Sequence, residues 1–76
     1  MPADATPSGT EWIAAFAAQL GVDAPDGDTV ATLLELAGVA AHASERTAAP
    51  IACWLVGRTG TSPADALATA RSIQPG

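Results

Sequence analysis

The sequence predicts an all-α fold, a compact domain of four helices over about residues 10–20, 29–45, 50–58 and 63–73. Alanine, the strongest helix former, makes up 19 of the 76 residues. Apolar residues recur at helical spacing, and Gly- and Pro-containing segments separate them at short intervals. Because Cys53 is the only cysteine, no internal disulfide can form, and the fold must be held together by packing alone.

The first helix has a clear beginning and end. Ser8 and Glu11 have the spacing of a capping box, in which each side chain accepts a hydrogen bond from the backbone of the other residue. Gly21 is placed to end the helix in the left-handed conformation. A broad apolar stripe within an arc of about 140° predicts its core-facing side: Trp12, Ile13, Phe16, Ala17 and Leu20.

The second helix is predicted to begin after Asp26 or Asp28, either of which suits an N-cap. It is expected to continue to Glu45 or Arg46. Three polar residues would then lie within about 40° of one another on the face opposite the apolar residues: Glu35, His42 and Arg46.

The third helix is predicted to follow Pro50, which fits a first helical turn. Its segment Ile51–Val56 is apolar on every side, and a helix without a polar face is normally enclosed by its neighbours. We therefore expect this third helix to be the central element. The fourth helix has Ser62 as N-cap and Pro63 in its first turn, and Pro75 and Gly76 are expected to terminate it.

The domain organisation follows from these elements: a disordered N-terminal lead over residues 1–9 and one helical domain over 10–74. The net charge is −5, with three arginines and no lysine, which argues against nucleic acids and anionic membranes as partners. No stretch approaches the ~20 apolar residues that cross a bilayer, and the N-terminus lacks the features of a secretory signal. We therefore expect a cytoplasmic protein.

The remaining chemical groups favour structural roles. Cys53 lies in the most apolar segment, where a buried thiol is a small hydrophobic side chain rather than a nucleophile. The acidic residues Asp23, Asp26 and Asp28 lack the spacing of a calcium-binding loop and suit helix capping. The sequence contains no visible catalytic constellation, metal site or cofactor motif, so we expect a protein that is not an enzyme.

Glu35, His42 and Arg46 are the candidate binding residues. Arg46 could clamp a carboxylate or phosphate group with two hydrogen bonds, while His42 donates or shuttles a proton. The alternative is structural, with Arg46 capping the last carbonyls of the second helix and the other two side chains in solvent. The residues alone leave both readings open.

The segment Ala41–Gly60 carries a family resemblance. Ala41-His42, Arg46, Ala48-Ala49-Pro50 and Leu55-Val56-Gly57 resemble a small actinobacterial family of helical domains of unknown function, and the similarity extends from Trp12 to Ile73. Members of that family occur alone or fused to nucleotidyltransferase domains of the type that attaches GMP to molybdopterin. The resemblance therefore implies a link to molybdenum-cofactor biosynthesis. The sequence departs from the family pattern at Ala43 and at the pair Arg58-Thr59.

Two classes of function follow. The first is a non-catalytic accessory or interaction domain that presents His42 and Arg46 to a protein, such as a molybdenum-cofactor assembly enzyme, or to the anionic group of a pterin or nucleotide. The second is an acidic four-helix group carrier, which needs a serine at the start of the second helix. The segment Asp28-Thr29-Val30 contains none, which disfavours the carrier. A homodimer through the third helix is compatible with either.

Overall fold

The computed structural model describes residues 6–73 and confirms the all-α fold. Within that range lie four helices: α1 (Gly9–Leu20), α2 (Gly27–Ala43), α3 (Ala48–Thr59) and α4 (Pro63–Ser72). Short connections of three to six residues join them. The expected disordered lead falls largely on residues 1–5, and the expected terminators Pro75 and Gly76 follow residue 73; both lie outside the described residues.

Side-chain caps fix the starts of α1, α2 and α4, whereas Thr47 makes no side-chain cap at the start of α3. Ser8 and Glu11 form the predicted capping box: the Glu11 N–H donates to Ser8 Oγ at 3.1 Å, and the Ser8 N–H donates to Glu11 Oε1 at 2.8 Å. Asp26 caps α2 and Ser62 caps α4. Since caps satisfy backbone N–H groups that a helix leaves without partners, these residues set where the helices begin.

The end of α2 differs from the prediction by two to three residues. Ser44 leaves the helical conformation with φ −139° and ψ −101°, so α2 ends at Ala43. The Glu45 carbonyl accepts from the Ala48 N–H at 2.9 Å, and the Arg46 carbonyl accepts from the Ala49 N–H at 3.2 Å. Glu45 and Arg46 therefore supply acceptors to the first turn of α3 instead of extending α2.

The central helix is α2, and the prediction that the third helix is central was wrong. Leu36 of α2 is 2% exposed and packs with Ala66 and Leu67 of α4, while Ala52 and Val56 of α3 pack against this cluster from the other side. Over its described length α3 contributes no fully buried residue. With only three partner helices of about ten to seventeen residues, the chain covers one side of α3 and leaves the other in solvent.

The first helix lies apart from this three-helix core. A cleft of about 290 Å³ separates α1 from the start of α2, with Ile13 and Ala14 on one side and Val30 and Leu34 on the other. Ala17 is the one buried residue of α1. The predicted apolar stripe of α1 exists, but four of its five residues are 41–62% exposed. No helix within residues 6–73 is long and apolar enough to cross a membrane.

Candidate functional site

Glu35 is held by α4. Arg71 Nη2 donates to Glu35 Oε2 at 2.8 Å, which is the one ion pair among residues 6–73. Both side chains remain more than half exposed, so the pair links the surfaces of α2 and α4 without being desolvated. Sequence reasoning missed Arg71 because its partner lies 36 residues away, and no local spacing reports such a contact.

His42 lies in the last turn of α2 and is exposed. Seven residues separate it from Glu35, which places both side chains on the same side of the helix, about 10 Å apart along the axis. An imidazole near a helix C-terminus is well placed to interact with the negative end of the helix dipole when protonated. The structure therefore brings Glu35 and His42 to one face, as expected.

Arg46 does not share that face. It lies in the turn between α2 and α3, after the helix has ended, and its side chain is exposed. In the part of the chain that the structure describes, its guanidinium pairs with no carboxylate. Arg46 is therefore a free cation at the α2–α3 corner, and its role as a binding residue stays a prediction.

Cys53 and Asp26 both have the structural surroundings that the sequence analysis assigned to them, although Cys53 is only partly buried. Cys53 is a half-buried free thiol packed against the Leu36 cluster. The Asp26 carboxylate accepts from the Thr29 N–H at 2.8 Å, and this hydrogen bond holds the pKa of Asp26 below its ordinary value. Residues 6–73 contain no group of three or more His, Cys, Asp or Glu side chains able to hold a metal ion.

The most prominent surface features are apolar, and the sequence analysis placed them in the core. In the described part of the chain four residues are buried, whereas ten large apolar side chains are 41–67% exposed. On α1, the Trp12 and Phe16 rings stack at 5.0 Å between centroids. On α3, Trp54 is 61% exposed on the side away from α2.

A groove runs between α3 and α4 over the C-terminal half of α2. Its α2 end encloses about 330 Å³, and the same groove continues toward the α3–α4 connection as a space of about 230 Å³. Apolar residues line the larger part: Val39, Ala43, Ile51, Leu55, Ala70 and Ile73. Alanines supply half of the residues that line this larger part, and that small-residue surface is open to solvent.

A protein-family model for a domain of unknown function (DUF6457) matches residues 4–74. The chain belongs to the DUF6457 family. This match covers almost the whole chain and includes all four helices, so the helical unit described above is the DUF6457 domain itself. No curated protein and no solved structure matches the chain.

Membership confirms the resemblance to a family of unknown function. It assigns no reaction to the DUF6457 domain, and neither an actinobacterial origin nor a fusion to nucleotidyltransferase domains follows from it. The start of α2, Gly27-Asp28-Thr29, carries no serine on which a phosphopantetheine arm could be attached. The carrier alternative therefore has no residue to support it at that position.

Proposed function

We propose that this DUF6457 domain is a non-catalytic protein-interaction domain. The observation that carries the proposal is the imbalance between core and surface over residues 6–73: four buried residues against ten large, exposed apolar side chains. A protein that exposes this many large apolar side chains normally covers part of them by binding another protein.

The interaction surface has polar residues suited to specificity. Arg46 is exposed at the α2–α3 corner and is free to contact a carboxylate of a partner. Trp54 and Arg58 lie one turn apart on the outer side of α3, and both residue types are enriched among those that dominate binding energies. His42 and Glu35 form a second polar edge on α2. Glu35 is already engaged by Arg71, so His42 and Arg46 are the contacts we assign to a partner.

The finer proposal concerns the partner. The support for a specific partner is the resemblance carried by the segment Ala41–Gly60, which implies a link to molybdenum-cofactor biosynthesis. On that basis we propose an assembly enzyme, a molybdopterin guanylyltransferase, as the protein bound. Such a link would make the domain an accessory to cofactor assembly and would require no catalytic group of its own.

Calorimetric titration of the 76-residue chain with the guanylyltransferase of the same organism tests this proposal. We expect measurable binding that Arg46→Ala weakens about 10- to 100-fold, because a charge-assisted contact contributes about 1.5–3 kcal/mol. Arg71→Ala is the matched control, since it removes a cation that is already paired within the chain. Absence of binding at about 100 μM enzyme would refute the cofactor link.

A further inference from the structure

The cleft between α1 and the start of α2 has an apolar lining. Its α1 wall carries Ile13 and Ala14, and its α2 wall carries Val30 and Leu34. Thr10 is the one polar side chain among the described residues that line this space of about 290 Å³, which we call the α1/α2 cleft. Apolar side chains that displace water from such a space are stabilised there by the hydrophobic effect.

Four carboxylates lie beside the cleft, each within two chain positions of a residue that lines it. These residues, called the acidic rim, are Glu11, Asp23, Asp26 and Asp28. Consecutive Cα atoms are about 3.8 Å apart, so the rim residues border the lining, and all four are exposed. Among residues 6–73 the one ion pair joins Glu35 to Arg71, so no cation in that range pairs with the acidic rim.

The charges of the chain are divided between its two halves. Residues 6–41 contain five carboxylates and no lysine, arginine or histidine, whereas residues 42–73 contain all three arginines and two carboxylates. The positive ends of the α1 and α2 dipoles offset only about half an elementary charge each, against four negative charges in the rim. The half of the chain that forms the cleft therefore attracts a cationic partner.

The walls of the cleft favour a helical partner over an extended one. An extended segment binds by pairing its backbone with free N–H and C=O groups at the edge of a sheet. Both walls here are α-helices, whose backbone groups are bonded within the helix, so an extended segment would find no such partners. A helix satisfies its own backbone and inserts apolar side chains spaced three or four residues apart.

This chain has no segment of that kind to offer to a second copy. It contains no lysine, and its three arginines, Arg46, Arg58 and Arg71, stand 12 and 13 positions apart. No helix of the described residues carries more than one of them. The occupant that matches both the apolar lining and the acidic rim therefore belongs to another protein.

We infer that the α1/α2 cleft binds a basic amphipathic helix of another protein, with its apolar side chains in the cleft and its lysine or arginine side chains against the acidic rim. This surface goes beyond the proposed function. Val30 lies about 18 Å along α2 from His42, and the cleft includes neither Arg46 nor Trp54. The inference is consequently independent of the molybdopterin guanylyltransferase.

A synthetic peptide serves as the probe. It consists of two Leu-Lys-Lys-Leu-Leu-Lys-Leu repeats, and at about 14 residues it is only marginally helical alone in water. We expect the 76-residue chain to raise the fluorescence anisotropy of the labelled peptide with a dissociation constant of about 1–100 μM at 0.1 M salt, as for a small interface. No binding at about 1 mM chain would overturn the inference.

Salt and a second peptide separate the two parts of the recognition. Affinity for the lysine peptide should fall at least about 10-fold at 1 M salt, because the screening length shortens from about 10 Å to about 3 Å. A peptide with glutamate at every lysine position should not bind. Equal affinity for both peptides would show that the acidic rim plays no part and would overturn the inference.

Charge variants locate the electrostatic contact. Asp23→Asn combined with Asp28→Asn leaves the Asp26 cap intact and should weaken binding of the lysine peptide about 10-fold at 0.1 M salt. The matched control is Glu45→Gln combined with Asp65→Asn, which changes the net charge equally but lies outside the acidic rim. It should change affinity less than about threefold, because distant exposed charges are screened. Equal weakening by both pairs would assign the attraction to net charge alone and overturn the inference.

Leu34→Ala tests the apolar contact at a position that is 67% exposed. Binding of the lysine peptide should weaken at least about fivefold, because part of the apolar surface that the peptide covers is removed. Ile51→Ala is the matched control, since Ile51 is 61% exposed and lines the α3/α4 groove instead. Circular dichroism of both variants checks that the fold is retained. A loss confined to Ile51→Ala would place the peptide in the other groove and contradict the assignment.

NMR of the isotope-labelled chain with unlabelled lysine peptide maps the contact without any substitution. Amide shifts should change most around Ile13, Ala14, Val30 and Leu34, and the circular dichroism of the mixture should exceed the sum of its components in helical signal. Shift changes confined to α3 and α4, or binding without added helix, would each overturn the inference.

Discussion

Arg71 of α4 donates a hydrogen bond from Nη2 to Oε2 of Glu35 on α2 at 2.8 Å. Both residues also flank the Leu36 cluster, because Glu35 precedes Leu36 and Arg71 follows Ala70, which packs against it. The ion pair therefore links α2 and α4 at the surface, at the edge of their contact and next to the buried side chain of Leu36.

We predict that Glu35→Gln lowers the free energy of unfolding by about 0.2–1 kcal/mol, because the pair is exposed and its Coulomb energy is small in water. Urea denaturation at low ionic strength measures the change. A double-mutant cycle with Arg71→Gln should give a coupling energy of the same size, and it should fall at 1 M salt. A salt-independent coupling would show that the two residues interact through packing instead.

Leu36 and Leu34 provide a matched pair on one helix. Leu36 is 2% exposed and Leu34 is 67% exposed. We predict that Leu36→Ala costs about 2–5 kcal/mol, close to the total of about 3–5 kcal/mol that a core of this size supplies. The Leu36→Ala variant should then lose its helical circular dichroism signal, or show no cooperative transition when that signal is followed on heating. Leu34→Ala should stay within about 0.5 kcal/mol of the wild type; equal effects would mean that the core lies elsewhere.

The lowered pKa of Asp26 predicts that the stability of the fold depends on pH. Its hydrogen bond from the Thr29 N–H lowers the pKa of the folded state, so the stabilisation is present above the ordinary aspartate pKa of about 3.9 and is lost as the pH falls through the lower, folded value. We expect Asp26→Asn, which can still cap the helix, to melt below the wild type at neutral pH. The difference should vanish in the acid range.

Melting curves between pH 2 and 7 measure this effect. Asp23→Asn is the control, because Asp23 lies in the same connection but caps no helix. If the Asp23 variant showed the same pH dependence as the Asp26 variant, the effect would come from net charge and not from the cap.

The first helix should exchange its amide protons faster than the rest of the fold. With one buried residue and a cleft between it and α2, α1 has little tertiary packing to oppose local opening. We expect its amides in dilute solution to exchange at least about 10-fold faster than those around Leu36. Hydrogen exchange followed by NMR measures this difference, and equal protection of α1 and of the amides around Leu36 would contradict it.

The helices were predictable because their signals are local. Ser8 and Glu11 cap α1 at the spacing a capping box requires, and Gly21 and Gly60 end helices with φ of 79° and 72°, a conformation that favours glycine. The end of α2 was less predictable, since Glu45 and Arg46 have good helix propensity. In the structure their carbonyls accept hydrogen bonds from the first turn of α3, and α2 ends before them.

The candidate site was only partly predictable for a related reason. Glu35 and His42 share a face because both lie within α2, where helical spacing applies. Arg46 lies beyond the helix end, so the same spacing does not apply to it. Arg71 was not foreseen as the partner of Glu35, because a contact across 36 residues depends on how α4 packs.

By itself, the sequence determined that this chain forms four helices, where most of them begin, and which residues are apolar enough to leave water. Only the tertiary structure decided which of those residues are covered. An apolar stripe indicates a preference for burial, but burial also needs a neighbouring helix. Among the helices of residues 6–73, α2 is the longest, and it packs along both α3 and α4. The apolar stripes of α1 and α3 therefore remain largely at the surface.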